Sequence, residues 1–220
     1  MIILESVSKS YRGEQGLNLA LDAVNLRIEK NEFVVLRGPS GSGKTTLLVL
    51  IAGMLRPTRG EVIVDQQRLS ELSAEQKAGF RARNIGFVFQ MFHLVPYLDV
   101  VENIALAAAE GKSDLVKAER LLLQLGLDGK ARSLPSQLSA GEKQRTAVAR
   151  ALINQPQIVL ADEPTGNLDP DNARVVLSHL NDFHKQGGTV VVASHSDLAD
   201  SFADRVVEMR NGRIVGVSDS

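Results

Sequence analysis

Gly38-Pro39-Ser40-Gly41-Ser42-Gly43-Lys44-Thr45 follows a β-branched run, Phe33 to Leu36, and precedes a helical run, Thr46 to Ala52. The octapeptide matches G-x-x-x-x-G-K-[ST], and strand before, helix after is the context that motif requires. Glycines let successive backbone N–H groups turn inward around phosphates, and the helix N-terminus adds its positive dipole. Lys44 supplies a point charge, and Thr45 offers a hydroxyl to Mg²⁺. The plain alternative is a Gly/Ser-rich turn with a surface lysine; both flanking elements argue against it.

Farther along, the apolar run Ile158-Val159-Leu160-Ala161 reads as a buried parallel strand ending in Asp162-Glu163. In open α/β sheets ligands sit beyond the carboxyl ends of strands, and two carboxylates there need a cation. Asp162 then holds Mg²⁺, and Glu163, one residue farther out, orients or deprotonates an attacking water. Taken alone, the pair would simply end a strand in solvent.

The remaining chain sorts by period. Ile2-Ile3-Leu4, Leu21 to Ile28 and Glu61 to Val64 are short strands separated by Gly13, Asn31 and Gly60. From Val100 to Leu152 helical periodicity takes over, in Val101 to Glu110, Ser113 to Leu125 and Gly141 to Ala151, broken by Gly126, Gly129 and Pro135. A strand Ile85 to Phe89, a helix Pro170 to Gln186 and a second buried strand, Thr189 to Ala193, complete the core. Asn211-Gly212, between Arg205 to Met209 and Arg213 to Val217, signals a type I′ hairpin.

The 220 residues, 44% hydrophobic and 23% charged, allow one large domain and exclude wholesale disorder. Lys+Arg 25 against Asp+Glu 26 leaves no basic field for nucleic acid. Absence of cysteine excludes disulfides, thiol nucleophiles and zinc thiolate sites. No stretch approaches the ~18 apolar residues of a membrane span; the longest, Leu47 to Leu55, contains Gly53. The expectation is a soluble chain without direct membrane insertion.

Leu138-Ser139-Ala140-Gly141-Glu142 makes a resemblance specific. It resembles the signature motif of ATP-binding cassette (ABC) ATPases, Leu-Ser-Gly-Gly-Gln in its common form, and stands between the phosphate loop and the Asp-Glu strand as in that family. Ala140 and Glu142 are departures that leave Ser139 and Gly141 in place. Locally, Ser139-x-x-Glu142 is also a capping box, and the two readings are compatible.

The resemblance runs from Leu4 to about Val215 and implies an α/β P-loop NTPase fold: a RecA-like core, an N-terminal antiparallel β subdomain and an inserted helical subdomain. Core and β subdomain would span 1–91 and 158–220, and the insertion 92–157. ATP with Mg²⁺ would lie against Gly38, Ser40, Gly41, Ser42, Gly43, Lys44, Thr45 and Thr46, with Tyr11 stacked on adenine. Tyr11 reads equally as strand-edge packing. Gln90 resembles the glutamine that senses Mg²⁺ and water, and His195 the switch histidine at the γ-phosphate; each also reads as a polar strand end. Asn167-Leu168-Asp169 resembles the loop that crosses between subunits, and Asp169-Pro170 reads as an N-cap with proline at N1. His93, His179 and His184 have no metal spacing.

Such cassettes pair head to tail, so this chain needs a second copy or a paralogue. Ser139 and Gly141 then face the other subunit's ATP. No long coiled coil and no second cassette is present, which leaves the ATP-binding subunit of a membrane transporter, peripheral on the cytoplasmic face of the inner membrane. Met91 to Tyr97 would help line the groove for the permease's coupling helix, or simply pack the subdomain. Leu160-Ala161-Asp162-Glu163-Pro164-Thr165-Gly166-Asn167-Leu168-Asp169 resembles the lipoprotein-releasing and macrolide-exporter (LolD- and MacB-like) ATPases and the cell-division ATPase FtsE. An importer ATPase is the runner-up, and a cell-division ATPase gating a periplasmic partner the non-transport alternative. The cargo is not encoded in these residues.

Overall fold

The computed structural model describes residues 1–13, 16–108 and 114–219. The chain runs β1 (Ile2–Gly13), β2 (Gly16–Ile28), β3 (Phe33–Arg37), α1 (Lys44–Ile51), β4 (Arg59–Val64), β5 (Gln67–Arg68), α2 (Ala74–Asn84) and β6 (Ile85–Val88). Helices α3 (Val100–Ala105), α4 (Asp114–Gln124) and α5 (Ala140–Leu152) follow, with a 3₁₀ turn at Pro135–Gln137 before α5. The chain returns through β7 (Ile158–Asp162), α6 (Pro170–Lys185), β8 (Thr189–Ser194), a 3₁₀ turn at Asp200–Phe202, β9 (Arg205–Arg210) and β10 (Arg213–Asp219).

Two sheets result. An antiparallel sheet has the order β2-β1-β4-β5, and a larger sheet has the order β10-β9-β3-β8-β7-β6. The larger one is parallel except for β10, which returns from β9 through Asn211 and Gly212. Both turn residues have positive φ, 50° and 75°, as a type I′ turn requires.

Strand pleating divides the core. Phe33, Val35, Val159, Ala161, Val190 and Val192 join an apolar cluster with residues of α3, α4, α5 and α6. Their chain neighbours Val34, Leu36, Ile158, Leu160, Val191 and Ala193 face the other way, into a cluster with α1 and the antiparallel sheet. Every residue of β7 and β8 is buried, which explains their unbroken apolar runs. Helix α1 packs against β7 and β8 on one side and β2 and β4 on the other, so Leu47, Leu48, Leu50 and Ile51 are all buried.

The expected elements appear with shifted ends. Strands β1 and β2 run much farther than Ile2 to Leu4 and Leu21 to Ile28, because bulges between Leu4 and Ser10 let the ladder continue where alternation lapses. Helix α1 starts at Lys44 rather than Thr46, and β6 stops at Val88, one residue short of Phe89. Helix α3 ends at Ala105, short of the expected Glu110; positions 109, 110 and 113 of the two expected helices lie outside the described residues. Helix α2 was not anticipated. It buries only Lys77 and Phe80, too few for an apolar period, yet its start carries a full Ser73–Gln76 capping box.

Candidate functional site

The loop 38–43 leaves the carboxyl end of β3 and turns directly into α1. Gly43 caps that helix at φ 104°, and a β-carbon there would meet Ala20 O at 2.6 Å, so both backbone and space demand glycine. No side chain caps α1, and its first turn holds no carboxylate. The amides of Lys44, Thr45 and Thr46 have no partner within the helix by construction, and they point at whatever lies in the loop. Ser42 Oγ is buried without a hydrogen-bond partner, a further donor aimed within this region.

Lys44 is only 6% exposed. Its Nζ donates to Gly38 O at 2.7 Å and Pro39 O at 3.2 Å and lies 3.6 Å from Glu163 Oε1. The loop carbonyls therefore hold the ammonium at the mouth of the helix. Gly38, Ser40 and Gly41 complete the bend, Ser40 and Gly41 being exposed.

Asp162 closes β7 beside this loop, where Thr45 Oγ1 donates to its Oδ1 at 3.0 Å. Burial pushes the Asp162 carboxyl above the usual range, with Glu163 adding to the push while the Thr45 hydroxyl and Lys44 oppose it. A hydroxyl and a carboxylate side by side form an oxygen donor set of the hard type that suits Mg²⁺. These residues fit the ion.

Glu163 adopts a left-handed conformation, φ 46°, a strain of about 1 kcal/mol for a non-glycine residue. Its N–H still donates to Ala193 O at 2.9 Å, so the chain stays pinned to β8 while the side chain swings toward the loop. Glu163 Oε2 accepts from His195 Nδ1 at 2.8 Å. That bond fixes the ring and leaves Nε2 free to face outward; the His195 side chain is 65% exposed.

Gln90 lies two residues beyond β6, near the same turn. Asn167 Nδ2 donates to Gln90 O at 3.3 Å, and Gly166 N–H donates to Glu163 O at 3.1 Å. Among the described residues no hydrogen bond joins the Gln90 side chain to Thr45, Asp162 or Glu163.

Ser139 and Gly141 stand elsewhere. Ser139 is exposed and caps α5: its Oγ accepts from Glu142 N–H at 3.3 Å, and Glu142 Oε2 accepts from Ser139 N–H at 2.8 Å. Lys130 Nζ lies 3.0 Å from Glu142 Oε1. Hydrogen bonding by the Ser139 backbone N–H and then by Lys130 holds the Glu142 carboxyl below its usual range. Among the described residues no hydrogen bond or ion pair links 139–142 to the phosphate loop. Tyr11 lies on the outer part of the β1–β2 hairpin, opposite Asn18 and 40% exposed, with Lys9 Nζ 5.3 Å from the centre of its ring.

Sequence reading missed two tethers around the site. Arg37, next to Gly38, ion-pairs with Asp197 and with Asp200, the latter at 2.7 Å, and Asn172 sits against Gly141. Neither has a local signal. A cavity of about 650 Å³ lies at the opposite end of the sheet, where Ile158 and Thr189 begin β7 and β8. It is remote from the Lys44–Glu163–His195 cluster and takes no part in it.

The model of the ABC transporter family matches residues 21–166. The chain is 39% identical over 221 residues to an uncharacterized ABC transporter ATP-binding protein of Methanocaldococcus jannaschii, covering 99% of each. It is also 39% identical over 222 residues to the macrolide export ATP-binding/permease protein MacB of Pasteurella multocida, where it spans 34% of that protein. The solved dimeric ATP-binding cassette MJ0796, in a post-hydrolysis state bound to ADP and Pi, superposes with a TM-score of 0.93 at 36% identity, over 100% of this chain and 98% of that one. With phosphate loop, Asp-Glu strand end and Ser139 segment all lying within one such fold, the chain belongs to the ABC transporter family as an ATP-binding cassette.

Proposed function

We propose that the chain binds and hydrolyses ATP as a head-to-tail dimer, driving a transmembrane permease from the cytoplasmic face of the membrane in the manner of a MacB-type system. The observation that carries this reading is the convergence of Lys44, Thr45, Asp162, Glu163 and His195 at the carboxyl ends of β3, β7 and β8. The dimeric cassette with ADP and Pi and the macrolide exporter among its relatives support it. Residues 92–157 form the helical subdomain that carries Ser139, inserted between the 1–91 and 158–220 parts.

In this reading the loop amides and Lys44 bind the β- and γ-phosphates, and Tyr11 stacks on the base. Thr45 and Asp162 would hold Mg²⁺, joined by Gln90, which follows β6 and is bonded to the 166–167 turn. When bound, the ion neutralises charge on the phosphate oxygens. Glu163 accepts the proton of the attacking water at its carboxylate, while His195, fixed through Nδ1, donates to the γ-phosphate from Nε2–H when both ring nitrogens carry protons. Ser139 and Gly141 of one subunit complete the site of the other.

Glu163→Gln tests the assignment. Hydrolysis is expected to fall roughly 10²- to 10⁴-fold while ATP binding survives. With MgATP the variant should elute as a dimer, the wild type under steady turnover as a monomer, and Glu163→Gln with Ser139→Asp as a monomer again. Undiminished hydrolysis in Glu163→Gln would remove Glu163 as the base.

A further inference from the structure

At Gly141 the start of α5 approaches α6 so closely that no side chain fits between them. A β-carbon there would stand 2.1 Å from Asn172 Oδ1, 2.5 Å from its Cγ and 3.1 Å from its Cβ. Gly141 is buried inside α5 without a positive φ, so its backbone would accept alanine, the better helix former. Only the neighbour forbids it.

Asn172 is itself held by three hydrogen bonds to two residues. Its N–H donates to Asp169 Oδ1 at 2.9 Å, its Nδ2 donates to Asp169 Oδ2 at 2.7 Å, and its Oδ1 accepts from Arg145 Nη1 at 3.4 Å. One amide thus joins α5 to Asp169, the N-cap of α6. The turn leading to Asp169 carries Asn167, bonded to Gln90 O, and Gly166, bonded to Glu163 O. The connection from Gly141 through Asn172 to Gln90 is unbroken.

We infer that Asn172 is a positioning residue, seating the Ser139–Gly141 segment on the 166–169 turn so that the dimer-facing segment and the turn beside Glu163 move as one body. Its effect on turnover rests on the head-to-tail dimer proposed above. In that dimer a shift of α5, which meets the other subunit's nucleotide, is passed to this subunit's own Gln90.

Seating is tested without reference to the dimer by a thermal-stability cycle on the full chain. Gly141→Ala should lower Tm in the otherwise native protein and raise it in an Asn172→Gly background, where the obstructing atoms are gone and only helix propensity remains. The same sign in both backgrounds overturns the seating. For turnover, Asn172→Ala should leave the calorimetric Kd for ATP unchanged and lower kcat about 10- to 100-fold, the scale of an ångström of misplacement. An unchanged kcat, or equal losses in affinity and rate, overturns the positioning role. A Glu163→Gln chain that stays monomeric with MgATP overturns the dimer reading instead, and the stability cycle still decides the seating.

Discussion

The N-terminus of α1 has a glycine cap and Lys44 as its first residue, whereas that of α5 is closed by the Ser139 hydroxyl and the Glu142 carboxylate. Both ends carry the same partial positive charge and the same orphan amides. At α1 those amides are left for an external anion. At α5 the chain supplies its own acceptor, so any phosphate arriving there must share the helix end with a resident negative charge. One end is a built anion site, and the other is satisfied before a ligand comes.

The comparison breaks most sharply at Lys44. Lys44→Ala leaves the α1 amides in place but removes the side-chain cation, and ATP turnover should fall at least about 10²- to 10³-fold. Near-wild-type turnover in the purified variant would mean that the α1 end does not bind phosphate. Ser139→Asp comes next. Aspartate caps as well as serine, so Tm should move little, while a second negative charge at the α5 end should abolish dimer-dependent hydrolysis. Retained activity would reduce the α5 end to a local cap.

Glu142→Gln sharpens the difference instead. Glutamine can still close the box at the Ser139 N–H, so the cap survives while the resident charge disappears. Relief of roughly 0.3–1 kcal/mol of repulsion predicts ATP-driven turnover or dimerisation improved about two- to fivefold. No gain in either assay would mean that the Glu142 charge does not reach the incoming phosphate.

The smallest effect concerns acid. The folded Glu142 carboxyl titrates below its ordinary 4.5, so its stabilising contribution is complete above that value and is lost as pH falls through the lower folded value. Beside the α1 end the sign reverses: Asp162 titrates above its ordinary 3.8, so falling pH relieves an unfavourable buried charge. Thermal melts of wild type against Glu142→Gln should show a wild-type advantage at neutral pH that vanishes well below pH 4.5. An advantage independent of pH would contradict it.

The parts of the site that were legible in sequence are those whose geometry is local. Gly38 to Thr45, the Asp162-Glu163 strand end and the Ser139–Glu142 box each act through residues within a few positions of one another. The Asn211-Gly212 turn was readable for the same reason. Helix α2 had a readable cap but too little buried surface to show a period. What depends on distant partners left no local trace: Arg37 meets Asp200 across 163 positions, and Gly141 is constrained by an asparagine of another helix. The convergence of Glu163 with Lys44 followed from the general placement of strand ends, but the left-handed turn that aims the carboxylate did not.

Strand order also sets a timetable for synthesis. Strand β3, which carries the phosphate loop, lies between β8 and β9, pairing Phe33 with Val190 and Val34 with Arg205. A nascent chain that has just emitted the loop therefore has neither of that strand's neighbours. At ~5–20 residues per second, roughly 8 to 30 s pass before Val190 follows Phe33 out of the ribosome. Until then Val34 and Leu36 have no neighbouring strand on either side, although their apolar partners in α1 and the antiparallel sheet are already made. The sheet around the phosphate loop is therefore closed only after β8 and β9 have been made.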